Sequence, residues 1–298
     1  MPYLPSRPAK HETLTLRGLR FHVHRWSGAD PDPIVLLHGW GDTGETFQFV
    51  VDHLPASYTL LAIDQRGFGR TEWPQDGYWF PDYLADLDAW LDVISPDAPV
   101  TLIGHSMGGN VANIYAGARP ERVKCCVNLE GFGLSAASAE QAPDRYRQWL
   151  NEIRAGEQFA NFAVYPDYDR LAQMLARRHR YLPPDRAEFI ARAWAHEAQP
   201  GVVTLRADPR HKRVNPVLYR REEATACWRA IAAPLLVVAA EESEHYRRSR
   251  DNLTDEALQR DYRNARFKLV EQAGHMLHLE QPRAVAELIV EFLDANRS

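Results

Sequence analysis

The sequence predicts an α/β protein built on a mostly parallel sheet with helices on both faces. Six short apolar runs have the composition of strands that are buried on both sides: residues 34–37, 59–63, 100–103, 123–129, 235–239 and 266–270. Helical patterns lie between several of these runs. The last pattern places Val285, Leu288, Ile289 and Phe292 on one stripe, as in a helix that packs on a sheet.

The other elements continue this alternation. Residues 13–17 and 21–26 predict a starting hairpin, which brings the expected sheet to eight strands. Helices are predicted over residues 43–54, 80–94, 107–118 and 282–295. At 298 residues, the chain is long enough for one large domain, or for such a domain with a substantial insertion.

Residues 134–233 differ from the rest of the chain. They contain Arg-rich helical patterns at 145–154, 168–180 and 186–197, and no convincing buried strand. They carry 16 Lys or Arg against 12 Asp or Glu, whereas the remainder carries 19 against 28. We therefore expect a helical cap at 134–233 that covers a core formed by residues 1–133 and 234–298.

The composition excludes several classes of protein. The net charge of −5 and the lack of a basic block argue against a nucleic-acid partner. No apolar run reaches the roughly 18 to 20 residues of a membrane-spanning helix, and residues 1–10 do not resemble a secretory signal. The three cysteines fit reduced thiols without metal-ligand spacing. We expect a cytoplasmic protein with a small-molecule partner, no metal and no organic cofactor; the sequence leaves its oligomeric state open.

The strongest chemical signal is the pentapeptide Gly-His-Ser-Met-Gly at residues 104–108. It follows a predicted strand and begins a predicted helix, the context in which G-x-S-x-G forms a nucleophile elbow. In such a turn Ser106 projects from the end of the strand, beside the N–H groups of the helix N-terminus. These features predict that Ser106 is a nucleophile.

A serine hydroxyl needs a base to remove its proton. His275 is the best of the twelve histidines, because it lies between the last predicted strand and the closing helix, from where a loop can return to Ser106. We expect His278 to pack against or cap the following helix. His105 is expected to be structural.

Taken together, four motifs in order resemble the α/β-hydrolase fold superfamily, in the branch with a cap between strands six and seven. They are residues 38–40, residues 64–71, the elbow at Ser106, and residues 274–275. The resemblance covers nearly the whole chain and implies a triad of serine, acid and histidine in that order. It also implies that the backbone N–H groups of Trp40 and Met107 form the oxyanion hole.

The acid departs from the common family pattern, in which strand seven runs into Gly-x-x-Asp. Here Ser243 occupies the expected aspartate position. Glu130, at the end of strand six, resembles the alternative acid of some haloalkane dehalogenases, and it is our first choice. Glu242 is the main alternative, followed by Glu241 and Glu244.

The substrate pocket is less well defined by the sequence. Trp40 and Phe132 lie in loops expected at the mouth of the site, and His38 is expected to shape or brace it. Arg206 and Arg210 could meet an anionic group on the substrate, although solvated surface charge explains them as well.

The nucleophile narrows the expected reaction. Dehalogenases and epoxide hydrolases of this fold use an aspartate at the elbow, so Ser106 argues against both. We expect a serine hydrolase that cleaves a small-molecule ester or related carbonyl compound through an acyl-serine. The alternatives are a carbon–carbon bond hydrolase with the same triad, and a small-molecule receptor or signalling protein on this fold.

Overall fold

The computed structural model describes residues 2–156 and 161–297 of the chain. Its central sheet has eight strands: β1 (Lys10–Leu16), β2 (Leu19–Trp26), β3 (Pro33–Leu37), β4 (Thr59–Ile63), β5 (Val100–His105), β6 (Val123–Leu129), β10 (Leu235–Ala240) and β11 (Ala265–Val270). Their spatial order is β1-β2-β4-β3-β5-β6-β10-β11.

The pairing confirms the predicted fold class. Strand β2 pairs antiparallel with both β1 and β4, and every other pair in this sheet is parallel. Strands β5 and β10 are buried along their whole length, which explains why their sequences are continuous apolar runs rather than alternating ones. Because the central strands are parallel, their carboxyl ends meet at one edge, where ligands bind in open α/β sheets.

Helices cover both faces of the sheet. They are α1 (Gln48–Val51), α2 (Phe80–Ile94), α3 (Met107–Ala118), α7 (Arg221–Ala230), α8 (Glu244–Ser249), α9 (Asp255–Asp261), α10 (Leu277–Glu280) and α11 (Pro282–Asp294). Two large clusters of buried apolar side chains form the core. One contains Trp90 of α2 and Tyr115 of α3, and the other contains Ile289 and Phe292 of α11.

The helix predicted over residues 43–54 is shorter than expected. A 3-10 helix at Gly44–Phe47 leads into α1, and the next residues form turns. The N–H groups of His53 and Leu54 bond to carbonyls three residues earlier, not four. The segment is therefore helical, but it is a regular α-helix only over the four residues of α1.

Between β6 and β10 lie three further helices, α4 (Ala142–Ala155), α5 (Tyr168–Arg178) and α6 (Pro184–Trp194). This region also contains a three-stranded antiparallel sheet in the order β7-β9-β8, which the sequence did not predict. Its strands are β7 (Val164–Tyr165), β8 (Ala195–Gln199) and β9 (Val202–Leu205). The helix predicted to reach residue 197 ends at Trp194, where β8 begins.

None of the helices in the described part of the chain has the length and apolar composition needed to cross a bilayer.

Candidate active site

Ser106 lies in a tight turn between β5 and α3. Its backbone has φ 51° and ψ −112°, a strained conformation for a residue with a side chain. The turn is held by a hydrogen bond of 2.8 Å from the N–H of Ser106 to the carbonyl oxygen of Leu129. This is the geometry that the pentapeptide predicted.

The glycines on either side of Ser106 are required by close backbone packing. A Cβ atom on Gly104 would lie 2.3 Å from the carbonyl oxygen of Gly108. One on Gly108 would lie 2.1 Å from the carbonyl oxygen of Leu37. Both distances are far shorter than a van der Waals contact, so these positions admit only glycine unless the backbone shifts.

His275 lies in the loop between β11 and α10, next to Ser106. Its Nε2 is 2.9 Å from Oγ of Ser106. The buried His105 also holds this loop in place, because its Nε2 bonds to the carbonyl oxygen of His275 at 2.8 Å. Burial lowers the pKa of His105 well below its usual value, so this ring is neutral and donates to that carbonyl. His105 thus has the structural position expected from the sequence.

Glu130 directly follows β6 and reaches the other side of the His275 ring. Its Oε2 lies 3.1 Å from Nδ1 of His275, and its side chain is fully buried. Oε1 accepts a hydrogen bond of 2.7 Å from the N–H of Ala240, and Ser243 donates to Oε2. A carboxylate that is hydrogen-bonded to Nδ1 of His275 favours the tautomer with its proton on Nδ1. In this tautomer the lone pair of Nε2 faces Ser106.

Glu242, the main alternative acid, points elsewhere. Its carboxylate accepts a hydrogen bond of 2.5 Å from the hydroxyl of Tyr181 and lies 3.8 Å from the guanidinium of Arg180. Glu241 is exposed, and the carboxylate of Glu244 pairs with Arg248 at the protein surface. Among the four acids that the sequence offered, the structure brings Glu130 into contact with His275.

The two residues expected to form the oxyanion hole, Trp40 and Met107, both belong to segments that adjoin Ser106. Met107 is the first residue of α3, so its N–H has no partner within the helix and is available at the positive end of the helix dipole. Trp40 follows Gly39, where a Cβ atom would be 3.3 Å from Cβ of Ser106. The loop of Trp40 therefore packs directly against the elbow, which suits the expected oxyanion hole.

His38, which we expected to shape or brace the site, is too buried to line an open pocket itself. It is fully buried, and both ring nitrogens bond to the backbone. Nδ1 donates to the carbonyl oxygen of Gly39 at 2.7 Å, and Nε2 accepts from the N–H of Gln65 at 2.8 Å. Burial lowers the pKa of His38, which keeps the ring neutral for this pair of bonds. The ring joins the loop after β3 to the loop after β4.

The other predicted pocket residues have different surroundings. Trp40 is half-exposed, and its ring lies 6.1 Å from that of Phe162. Phe132 is buried in the core. Arg206 donates to the carbonyl oxygen of Ala195, and Arg210 bonds to Asp208 and to the carbonyl oxygens of residues 74 and 75. Both guanidinium groups thus bind protein atoms, and an anion site at them stays a prediction.

Two residues near the triad were missed by sequence reasoning. The ring of His245 stacks on that of His275, with centroids 4.2 Å apart. Burial and the neighbouring His275 lower the pKa of His245. Ser243, which contacts Glu130, had a sequence signal, because it occupies the position where the family pattern has its acid. His245 had none, since its approach to His275 depends on how α8 is placed.

A second buried network lies behind the loop of Trp40. Nε2 of His278 is 3.2 Å from Oδ2 of Asp42, and both residues are buried. Oδ1 of Asp42 accepts a hydrogen bond of 2.6 Å from Nε1 of Trp194 at the end of α6. His278 therefore packs internally, as expected, and joins α10 to the region between β6 and β10.

Comparison with known proteins identifies the family. The family model described as alpha/beta hydrolase fold matches residues 32–282. The chain belongs to this family. A serine hydrolase-like protein of Danio rerio is 27% identical to this α/β hydrolase over 274 residues, which cover 90% of this chain and 83% of that protein.

Two further comparisons span most of the chain. A 2-(acetamidomethylene)succinate hydrolase of Mesorhizobium japonicum is 23% identical over 267 residues, which cover 88% of each protein. The solved structure of a thioesterase domain from the curacin biosynthetic pathway has a TM-score of 0.81 at 23% identity, over 95% of this chain and 99% of that domain. Relatives of this α/β hydrolase by sequence are named hydrolases, which supports the expectation of an enzyme.

Proposed function

We propose that this α/β hydrolase is a serine hydrolase that cleaves a small-molecule ester or related carbonyl compound through an acyl-serine intermediate. The observation that carries the proposal is the continuous path from Ser106 through His275 to Glu130, with distances of 2.9 and 3.1 Å. A hydroxyl, an imidazole and a buried carboxylate in this order are the parts of a serine nucleophile with its base and the group that orients the base.

The proposed reaction has two stages. Oγ of Ser106 attacks the carbonyl carbon while Nε2 of His275 takes the hydroxyl proton, and Glu130 stabilises the imidazolium that forms. The N–H groups of Trp40 and Met107 stabilise the oxyanion, and the imidazolium returns its proton to the leaving group. Water, deprotonated by His275, then attacks the acyl-serine, and His275 gives this proton to Oγ of Ser106 as the bond to the acyl group breaks and the acid is released.

We also propose that residues 134–233 carry the cap over this site, with α7 near the end of this segment packed on the central sheet. Three hydrogen bonds support this assignment, since each joins the segment to a loop at the carboxyl end of a core strand. Trp194 bonds to Asp42 after β3, and the carbonyl oxygen of Arg206 accepts a hydrogen bond of 2.7 Å from the N–H of Gly69 after β4. Tyr181 bonds to Glu242 after β10.

The substrate class is proposed from the same surroundings. Trp40 and Phe162 offer aromatic surface at the loop that flanks Ser106, which favours an apolar acyl group. The names of relatives in this family, among them a thioesterase and a 2-(acetamidomethylene)succinate hydrolase, are consistent with hydrolysis next to a carbonyl group.

The test is steady-state hydrolysis of p-nitrophenyl acetate, butyrate and octanoate by the purified protein, beside Ser106→Ala. The proposal predicts turnover that is lost in the variant, and the trend with acyl length measures the pocket. Mass spectrometry after treatment with a fluorophosphonate should place one adduct on Ser106. Equal inactivity of both proteins, together with no adduct, would overturn the proposal and favour a receptor; an adduct without esterase turnover would favour carbon–carbon bond hydrolysis.

A further inference from the structure

Three histidines meet on one face of the β1-β2 hairpin, at the edge of the central sheet. His22 and His24 are two residues apart in β2, so their side chains lie on the same face of the strand. The register pairs His11 of β1 with His24, which brings the third ring to that face. In the strand order, the hairpin is separated from the β5 strand of Ser106 by β4 and β3.

The spacing of the three rings suits a shared metal ion. Nε2 of His22 is 3.2 Å from Nδ1 of His11. Two nitrogens bound to a tetrahedral Zn²⁺ at about 2.0–2.1 Å lie about 3.3 Å apart, so this distance is already that of two ligands. One ligand atom from each of the three rings lies within 4.8 Å of the others. Rotation of the exposed His11 and the half-buried His22 side chains would bring both rings toward the buried His24.

His24 has the hydrogen bonding of a metal-bound histidine. Its Nε2 is 3.0 Å from Oδ1 of the buried Asp64. That carboxylate also accepts hydrogen bonds from the N–H groups of Gly44 and Arg70, at 2.8 and 2.9 Å. The carboxylate thus fixes the proton on Nε2, as in a carboxylate–histidine–metal arrangement.

Hydrogen bonding does not account for the burial of the other ring nitrogen of His24. Nδ1 is buried and has no hydrogen-bond partner among the described residues. A buried polar atom without a partner is costly, and a metal ion would satisfy this one. Of the three histidines, His24 therefore gives the strongest indication that a metal ion binds at this cluster.

One positively charged group, the guanidinium of Arg70, has to move before a cation can bind at the cluster. The guanidinium of Arg70 faces the cluster, with Nη1 3.4 Å from Nε2 of His22. Its Nη2 also pairs with Glu45 at 3.5 Å, toward which Arg70 can withdraw when an ion binds.

We propose that His11, His22 and His24 form a binding site for a divalent transition metal ion, with Zn²⁺ as the best match. Neutral imidazoles are ligands that Zn²⁺, Cu²⁺ and Ni²⁺ accept, and three of them leave a fourth position for water. The ion joins the edge strand β1 to β2 and stabilises the hairpin. This proposal departs from the metal-free protein expected from the sequence, and it does not depend on the proposed hydrolase activity.

Calorimetric titration with ZnCl₂ of the protein freed of metal by a chelator tests the site. The wild type should bind one equivalent, and His11→Gln should weaken binding at least tenfold. His11 is exposed, so this variant is expected to fold, which circular dichroism checks. His53→Gln, which replaces a histidine outside the cluster, is the matched control and should bind as the wild type does. Visible absorption of the Co²⁺ complex should show the intense bands of tetrahedral coordination.

Thermal unfolding with and without Zn²⁺ provides a second test of the site. Zn²⁺ at a hundred times its Kd should raise the Tm of the wild type and of His53→Gln, and should not raise that of a His11→Gln/His22→Gln variant. Unchanged Zn²⁺ affinity in His11→Gln would assign the ion to other residues, such as the buried Asp42, His105 and His278 group, and would overturn the proposal. Absence of binding in the wild type would do the same.

Discussion

Ser243 donates a hydrogen bond to Oε2 of Glu130, the same oxygen that lies 3.1 Å from Nδ1 of His275. The oxygen of Ser243 accepts from the N–H groups of His245 and Tyr246, at 3.1 and 3.4 Å. Since those donors occupy its lone pairs, the hydroxyl hydrogen points at the carboxylate. The residue in place of the usual family aspartate therefore supports the carboxylate that approaches from β6.

Replacing Ser243 with alanine should slow the proposed reaction without weakening substrate binding. A hydrogen bond to a charged group contributes about 1.5–3 kcal/mol, so we expect kcat for p-nitrophenyl butyrate to fall roughly 10-fold or more at an unchanged KM. Thr254→Ala is the matched control, because Thr254 also caps a helix and is not part of the triad. A similar fall in both variants would show that Ser243 acts only through the stability of its helix.

Gly108→Ala tests the close packing at the elbow. The added methyl group would lie 2.1 and 2.7 Å from the carbonyl oxygens of Leu37 and His38, so strand β3 or helix α3 must shift. Because the clash is with backbone atoms, we expect a loss of about 3 kcal/mol or more in the free energy of unfolding, measured in urea. Gly201→Ala is the control: its φ is also positive but nothing lies within 4 Å of the added carbon, so backbone strain of about 1–2 kcal/mol is its only cost. Equal losses would contradict this packing account.

His211 should make stability depend on pH. Its ring lies between those of Phe68 and Tyr78, with centroids 3.9 and 3.5 Å away, and burial lowers its pKa from 6.5 to about 3. At a pH between these two pKa values, His211 is protonated in the unfolded chain and neutral in the folded protein. The free energy of unfolding therefore falls as the pH falls, by up to about 1.4 kcal/mol per pH unit. Urea unfolding at pH 7.5 and 5.5 should show a smaller loss in His211→Phe than in the wild type.

Lys212→Gln is the control for this measurement, because it changes a neighbouring charge and keeps the imidazole. It should retain the pH dependence of the wild type. The buried rings of His38 and His105, whose pKa values are also lowered, contribute to the pH dependence that remains in His211→Phe. A pH dependence that is the same in the wild type and His211→Phe would show that His211 is not held neutral.

The fold could be predicted from the sequence because its central strands are buried on both faces. Residues such as those of β10 form continuous apolar runs that few other structures accommodate. The small sheet between β6 and β10 could not be predicted in this way. Four of the five residues of β8 are not buried, so its sequence has neither an apolar run nor a clear alternation.

The candidate site was predictable where chemistry and local sequence coincide. The strand, turn and helix around Ser106 and the loop of His275 carry recognisable motifs, and Glu130 was the first choice for the acid. The structure brings these three side chains together; their catalytic roles, the cap, the cytoplasmic location and the substrate stay predictions. The stacking of His245 on His275 and the bond from Trp194 to Asp42 depend on long-range packing, which no local pattern encodes.

The most direct test of the account is the turnover of Glu130→Gln beside that of Glu242→Gln. An amide at residue 130 can donate to Nδ1 of His275, which favours the tautomer that cannot accept the proton of Ser106. We expect kcat for p-nitrophenyl butyrate to fall by about 10⁴ in Glu130→Gln, as for a triad that loses its acid. Glu242→Gln should lie within about threefold of the wild type, since its carboxylate bonds to Tyr181 near the surface. Near-normal turnover in Glu130→Gln, or a large loss confined to Glu242→Gln, would contradict the central claim.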